Sequence, residues 1–282
     1  MRFSILSNGT LVTDRMASFL ADTGRCDGVQ ISIDGSSPGS HDAFRGSGNF
    51  NRAVEGIRIL RKRSIPVSVR VTIHKHNFHD IRGIASLLLD DLRLPQISTN
   101  AASYMGLCRK NSEMICLDIE ERTAAMEMLL QLEAEYPGRI EAAAGPLFEA
   151  RDWLELEKAS RAQNHTDTGT GFLCGCSGPM SRLAVRADGV LVPCSQLSHI
   201  ELGRINQVDL KTVWQDNPEL KRLRERFYIP LTRFAFCREC PYINHCTGGC
   251  PALSYTMTGD VYQPSPDCLR DFLKKGGRLP AL

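Results

Sequence analysis

Eight cysteines crowd the last two-fifths of this 282-residue chain, at Cys174, Cys176, Cys194, Cys237, Cys240, Cys246, Cys250 and Cys268. From Cys176 the chain runs twelve residues to Gly189 and four more to Cys194; a gap then leads to C-x2-C-x5-C-x3-C at Cys237, Cys240, Cys246 and Cys250, and Cys268 closes the set. Eight thiolates suffice for two four-coordinate sites. All-sulfur tetrahedral sites suit zinc or an iron–sulfur cluster, because soft thiolates match those metals and reject magnesium and calcium. Spacing alone leaves both metals open. Disulfides are the competing use of so many cysteines. They are disfavoured because the total of eleven is odd, no long apolar run follows Met1-Arg2-Phe3, and the chain is too long to need stapling. A reduced, cytoplasmic setting is therefore expected. Cys26, Cys108 and Cys116 fit no ligand pattern and read as buried small apolar side chains.

The elements that must position these thiols differ between the two halves of the chain. Early on, strand and helix signals alternate. Ser4 to Leu6 and Val29 to Ile33 read as short strands, each followed by a glycine turn. Ala53, Val54, Ile57 and Leu60 recur with helical spacing between Asn51 and Arg63. Val67, Val69, Val71 and Ile73 alternate as a strand, Ile81 to Leu88 reads as a helix, Pro95 to Ser98 as a strand, and Ile119 to Tyr136 as a helix stopped by Pro137-Gly138. Repeating strand–helix units imply an α/β fold with a parallel sheet, open or closed. Residues 147 to 163 read as a helix and Asn164 to Gly171 as a polar, glycine-rich linker. Leu183 to Val192 reads as a hairpin turning at Asp188-Gly189, which returns Cys194 towards Cys176. The expected organisation is thus 1–145 for the strand–helix region, 146–171 for helix and linker, and 172–282 for the cysteine region.

Composition narrows the partners. The chain is 42% hydrophobic with a net charge of +2, and no stretch approaches a membrane span, so neither nucleic acid nor membrane is expected as a partner. The basic run Lys221-Arg222-Leu223-Arg224-Glu225-Arg226 falls on a helix capped by Asn217 and Pro218 and reads as a solvated face.

Ser7-Asn8-Gly9-Thr10-Leu11, Ser32-Ile33-Asp34-Gly35, His41-Asp42-x-x-Arg45-Gly46, Gly48-x-Phe50 and the strand leading to His76-Asn77 resemble the middle of a radical S-adenosylmethionine (SAM) enzyme. The cysteine region, with Gly248-Gly249-Cys250-Pro251-Ala252 and Thr258-Gly259-Asp260, is similar to the SPASM domain that many such enzymes carry. The resemblance implies a partial (β/α)6 radical SAM barrel, its first strands missing, followed by a small cysteine-rich SPASM domain with a β-hairpin. It also implies two auxiliary 4Fe-4S clusters, one on Cys176, Cys194 and Cys250 and the other on Cys237, Cys240, Cys246 and Cys268. Cys174 is the candidate eighth thiolate. Its position two residues before Cys176 is closer than the family pattern, which keeps an open iron site in play.

The departures matter equally. The C-x3-C-x2-C loop that holds the SAM-cleaving cluster in the family does not occur in this sequence, nor does the Gly-Gly-Glu-Pro turn. The reading is an N-terminally truncated member, with Met1 near the start of the third barrel strand and an unpaired hydrophobic edge at Ser4 to Leu6. SAM and a third 4Fe-4S cluster belong to an intact relative, and the chain as written is expected not to cleave SAM. The resemblance makes Ser32, Arg45, Arg70 and Thr72 candidate SAM contacts, against the plainer reading of strand-end groups satisfying backbone or neighbouring carboxylates. His74, His76 and His79 read as strand-end residues rather than metal ligands. Ser195 stands where sulfatase-maturating relatives place an aspartate, which argues against that subgroup. Tyr255 and Asp260 are expected near the second cluster, Asp260 as a turn residue. No residue is assigned a catalytic role. In an intact member the implied activity is 5′-deoxyadenosyl radical modification of a peptide, protein or peptide-derived cofactor, with electrons from a ferredoxin or flavodoxin. The alternative is a non-catalytic iron–sulfur or zinc-binding scaffold.

Overall fold

A computed structural model describes residues 1–162 and 171–281; all of the expected linker over Asn164 to Gly171 except its last residue lies outside them. The chain divides into two compact units, one of Met1–Ser103, Asn111–Asp152 and Gly277–Leu282, the other of Tyr104–Lys110 and Trp153–Gly276.

The first unit is built on the parallel sheet that alternating strand and helix signals require. Its five strands, β1 (Phe3–Ser7), β2 (Cys26–Ser32), β3 (Val67–Ile73), β4 (Ile97–Ala101) and β5 (Ile140–Ala142), neighbour one another in chain order. Parallel neighbours need crossover connections. These are supplied by α1 (Asp14–Asp22), α2 (Pro38–Arg45), α3 (Asn49–Lys62), α4 (Ile81–Ser86), α5 (Ser112–Ile115) and α6 (Ile119–Glu135). In β3 every second residue, from Val67 to Ile73, is buried, and β-branched side chains suit that half-covered pleat. Facing it, α3 buries Phe50, Ala53, Val54, Ile57 and Leu60. Full burial of side chains the size of Ile57 and Leu60 contributes about 1.5–3 kcal/mol each. Close approach of α3 to the loop after β1 demands glycine at Gly56, where an added Cβ would lie 2.5 Å from the Gly9 carbonyl oxygen.

The structure departs from the sequence reading in local ways. Two helices escaped the periodicity argument because they are short and only their caps mark them: Thr13 accepts from the Met16 amide at the start of α1, and Ser37 forms a capping box with Ser40 ahead of Pro38 in α2. The helix from Ile81 is α-helical only to Ser86, then widens into a π turn over Leu87–Asp91, with the Leu92 amide bonded to the Leu87 carbonyl at 2.8 Å. Three-residue β5 is too short to show alternation. Strand β1 is at one edge of the sheet, and Leu6 on it is 75% exposed.

Helix α7 (Pro146–Ala162) contains the division between the units. In the second unit, α8 (Gly178–Ser181) precedes an antiparallel meander of β6 (Ala184–Val185), β7 (Val190–Val192) and β8 (Gly203–Arg204). The expected hairpin is there, turning at Gly189 with φ +87°, and a third strand extends it. Short helices follow: α9 (Leu210–Asp216), α10 (Pro218–Glu225), α11 (Ala235–Arg238), α12 (Pro251–Thr258) and α13 (Leu269–Lys274). Asn217 caps α10 through the amides of Glu219 and Leu220. Among the described residues the apolar packing here falls into small separate clusters, such as Leu191, Leu202, Val213 and Leu220, or Leu173, Leu231 and Cys237. Cores this small leave room for metal ligation to contribute to folding. No helix of the described residues is long and apolar enough to cross a membrane.

Candidate metal centres

The short helices of the second unit gather the cysteines into two groups. Cys237 and Cys240 come from α11 and the turn after it, Cys246 from the loop beyond, and Cys268 from the residue that starts α13. All four line one cavity of about 50 Å³, walled by Leu231, Phe236 and Ile243. Burial pushes the Cys237 and Cys268 thiols up to about 11, and the charges of neighbouring cysteines push the same way. The Asp271 amide at the start of α13 opposes this at Cys268. A metal must therefore displace protons from these thiols, which couples its binding to pH.

The second group is Cys176, Cys194 and Cys250. Burial raises the Cys250 thiol, and the charges of Cys176 and Cys194 act in the same direction. Cys250 stands at the N-cap of α12, and the amides of Ala252 and Leu253 favour its thiolate. The Gly178 amide reaches the Cys176 sulfur at 3.4 Å and the Gln196 amide the Cys194 sulfur at 3.5 Å. The hairpin β6–β7 returns the chain to Cys194, as its position between Cys176 and Cys194 requires. Cys174 is half-buried, and Gly175 beside it packs on the 247–249 segment, where an added Cβ would lie 2.8 Å from the Gly249 carbonyl oxygen.

A tight turn separates the two groups. Cys246 and Cys250 are four apart, yet they go to different groups because Gly248 and Gly249 both take φ +74°. A Cβ on Gly248 would lie 2.6 Å from Leu173 Cδ2 and one on Gly249 2.7 Å from Ser265 Cβ. The Gly248 amide points at the Cys246 sulfur, 3.3 Å away.

None of the eleven cysteines forms a disulfide. Among the described residues no three Cys, His, Asp or Glu side chains converge tightly enough to hold a single ion. Four sulfurs around one zinc sit about 3.8 Å apart, given a Zn–S distance of roughly 2.3 Å. A cubane, which carries each thiolate on a separate iron, spaces them further. The donor set suits a thiolate-bound metal group, zinc and iron–sulfur alike.

Several sequence expectations need correction. Cys26, Cys108 and Cys116 are partly exposed rather than buried. The basic run is not a uniformly solvated face: Lys221 and Arg222 are exposed, but Arg226 is only 2% exposed, and Arg224 stacks over Trp214 at 4.4 Å. Tyr255 packs with Cys194 and Cys250, beside the first ligand group rather than the second, and stacks on His199 at 3.9 Å. Asp260 is a turn residue, accepting from the Tyr262 amide at 2.8 Å.

In the first unit two of the four residues considered as SAM contacts, Arg45 and Thr72, meet at Asp34, which sequence reasoning passed over as part of a glycine turn. Asp34 is fully buried; it accepts from Arg45 Nε at 2.5 Å and from the Thr72 amide at 2.8 Å. Asn77 ties the Asp34 and Thr72 carbonyls together at 2.9 Å each. Ser32 pairs in register with Arg70, whose Nε reaches Ser98 Oγ at 3.3 Å. Arg45 also lines a cavity of about 230 Å³ with Asn8, Thr10, His41, Phe44 and Asn49. A buried carboxylate contacted from α2 and β3 was not visible in any local pattern. His74 is buried, with Nδ1 accepting from the His76 amide at 3.2 Å and Nε2 unpartnered among the described residues; burial pushes its pKa down to about 4.

Comparison with known proteins finds matches in both halves of the chain. Residues 1–88 match the profile of the radical SAM superfamily and residues 174–241 that of the SPASM iron–sulfur cluster-binding domain. An AdoMet-dependent heme synthase of Methanosarcina barkeri is 26% identical, covering 95% of this chain and 74% of the relative. A PqqA peptide cyclase of Ruegeria pomeroyi is 22% identical, covering 95% of this chain and 66% of the relative. The chain therefore spans between 66% and 74% of the length of these two relatives. Among solved structures, anSMEcpe with bound AdoMet and the Kp18Cys peptide superposes with a TM-score of 0.65 at 16% identity, covering 98% of this chain and 73% of that one. Streptococcus suis SuiB bound to precursor peptide SuiA gives 0.67 at 14% identity, covering 95% and 58%.

Proposed function

This chain belongs to the radical SAM proteins that carry a SPASM domain, and we propose that its cysteine region holds two auxiliary 4Fe-4S clusters serving the modification of a peptide, protein or peptide-derived cofactor. In this reading Cys176, Cys194 and Cys250, with Cys174, hold one cluster, and Cys237, Cys240, Cys246 and Cys268 the other. The observation that carries it is the convergence on one small apolar-walled cavity of four thiols, three from a C-x2-C-x5-C run and one from 22 residues further on.

A bound cluster supplies one-electron transfer at this position. The chain's own residues make that workable. Thiols raised by burial lose their protons on ligation, the amides of Gly178, Gln196 and Gly248 reach three of the sulfurs, and Leu231, Phe236 and Ile243 line one group with apolar side chains. The candidate SAM contacts are Ser32, Arg45, Arg70 and Thr72, of which Arg45 and Thr72 contact the buried Asp34. A peptide or peptide-derived substrate is supported by the cyclase among the relatives and by the peptide complexes among the structural neighbours. Electrons from a ferredoxin or flavodoxin in the cytoplasm complete the reading.

The test is anaerobic purification with iron, acid-labile sulfide and zinc analysis. Two clusters give brown protein with about eight iron and as many sulfides per chain. Stoichiometric zinc without labile sulfide replaces the cluster reading with that of a zinc-binding scaffold.

A further inference from the structure

Arg226 sits in the basic run of the second unit yet is only 2% exposed. Its guanidinium donates to three main-chain carbonyls, those of Leu173 at 3.2 Å, Gln263 at 3.1 Å and Val261. Carbonyls satisfy its N–H groups but do not neutralise its charge. Among the described residues no carboxylate lies within ion-pair distance, unlike the pairing of Arg45 with Asp34 or of Arg122 with Glu149. A buried cation without a counter-charge is strongly destabilising, so such groups are found paired. The anionic groups that bear most on Arg226 are Cys250 and then Cys176, ahead of Tyr262 and Asp260. Val261 packs in the same cluster as Cys194 and Cys250, as does Leu223, three residues before Arg226, whereas Leu173, three residues before Cys176, packs in the cluster of Cys237.

We propose that Arg226 is the built-in counter-charge of the Cys176, Cys194 and Cys250 group, and that it raises the reduction potential of the cluster held there above that of the second cluster. The proposal rests on the cluster reading given above. Thiolate-ligated clusters carry net negative charge, and reduction adds to it, so a fixed buried cation stabilises the reduced form more than the oxidised one. The second group has a weaker counterpart. The cation that bears on Cys237 is Arg270, which is partly exposed and placed against Phe236 with 5.5 Å to the ring centroid, where solvent screens it. Arg226 is therefore a tuning residue that acts on the first group more strongly than on the second.

The experiment is a mediated potentiometric titration of the anaerobically purified full chain, followed by electron paramagnetic resonance. Cys194→Ser identifies which reduction wave belongs to the first group. In Arg226→Met that wave moves to lower potential by at least tenfold in the reduction equilibrium, about 59 mV for one electron. The other wave moves less, and Arg226→Lys restores most of the shift. Retention of both clusters with neither wave moved, or an equal shift of both, overturns the proposal. Should Arg226→Met lose the first group's iron, Arg226→Lys decides: retained iron at near wild-type potential supports the charge role, whereas loss there too assigns Arg226 to its hydrogen bonds and overturns it. Wild-type protein without iron or sulfide is a failure of the cluster reading itself, seen before any variant is made.

Discussion

Replacing Gly249 by alanine tests whether the turn between the two cysteine groups is set by backbone conformation, by packing, or by both. Gly249 has φ +74°, and an alanine Cβ there would lie 2.7 Å from Ser265 Cβ. Ser265 cannot easily yield, because its amide is bonded to the Gly248 carbonyl at 2.9 Å and the residue is 5% exposed. Gly259 provides the control. Its φ is +79°, but nothing lies within 4 Å of an added Cβ. The left-handed backbone costs alanine about 1–2 kcal/mol at either site. The collision adds roughly 1–3 kcal/mol at Gly249 alone. Gly249→Ala is therefore expected to destabilise by about 2–5 kcal/mol and Gly259→Ala by about 1–2 kcal/mol. In thermal unfolding of the reduced protein, each kcal/mol separates the two variants by roughly 2–8 °C. Iron content should fall with stability in Gly249→Ala, because the Gly248 amide that contacts the Cys246 sulfur is on the displaced turn. Equal melting temperatures for the two alanine variants would refute the packing argument.

Other expectations concern single groups. Cys194→Ala and Cys240→Ala should each remove about four iron and leave the other cluster's four; unchanged iron in either variant contradicts the ligand sets. His74, neutral and buried, has a pKa lowered from 6.5 to about 4, so the unfolded chain takes up its proton first. Its contribution is complete above pH 6.5, drains as the pH falls, and is gone below about 4, a loss on the order of 3 kcal/mol. Urea titrations at pH 7 and pH 4.5 should show that loss in wild type and not in His74→Gln, and identical pH dependence in both rejects it. Asp34→Asn removes the carboxylate that holds Arg45 and the Thr72 amide. Because Arg45 is 25% exposed, the cost should be about 2–4 kcal/mol, somewhat below that of breaking a fully buried pair. A urea midpoint within error of wild type counts against it. These 282 residues contain no C-x3-C-x2-C, so after chemical reduction they should yield no 5′-deoxyadenosine from SAM; product above a no-protein control contradicts this and points to an open iron in the first cysteine group.

Local chemistry was legible wherever neighbours in sequence are neighbours in space. The period-two pattern of Val67 to Ile73 and the helical spacing from Ala53 to Leu60 specify which face is buried, and the parallel sheet follows from their alternation along the chain. Asp188-Gly189 marks the hairpin because its turn is made within four residues. The eight-cysteine spacing likewise identifies a thiolate metal region, since donor softness is a property of the side chain and not of its surroundings. Tertiary structure alone decided the rest. Arg226 reads as one charge in a basic run, and only packing against Val261, Leu173 and Gln263 turns it into a buried cation. Asp34 reads as part of a turn until α2 and β3 bring Arg45 and Thr72 to its two oxygens, 11 and 38 residues away. The resemblance puts Cys246 and Cys250 in separate ligand sets, but only the structure shows the two successive left-handed glycines that part them. Burial and charge are set by what lies across the fold, and a sequence pattern reports only what lies along the chain.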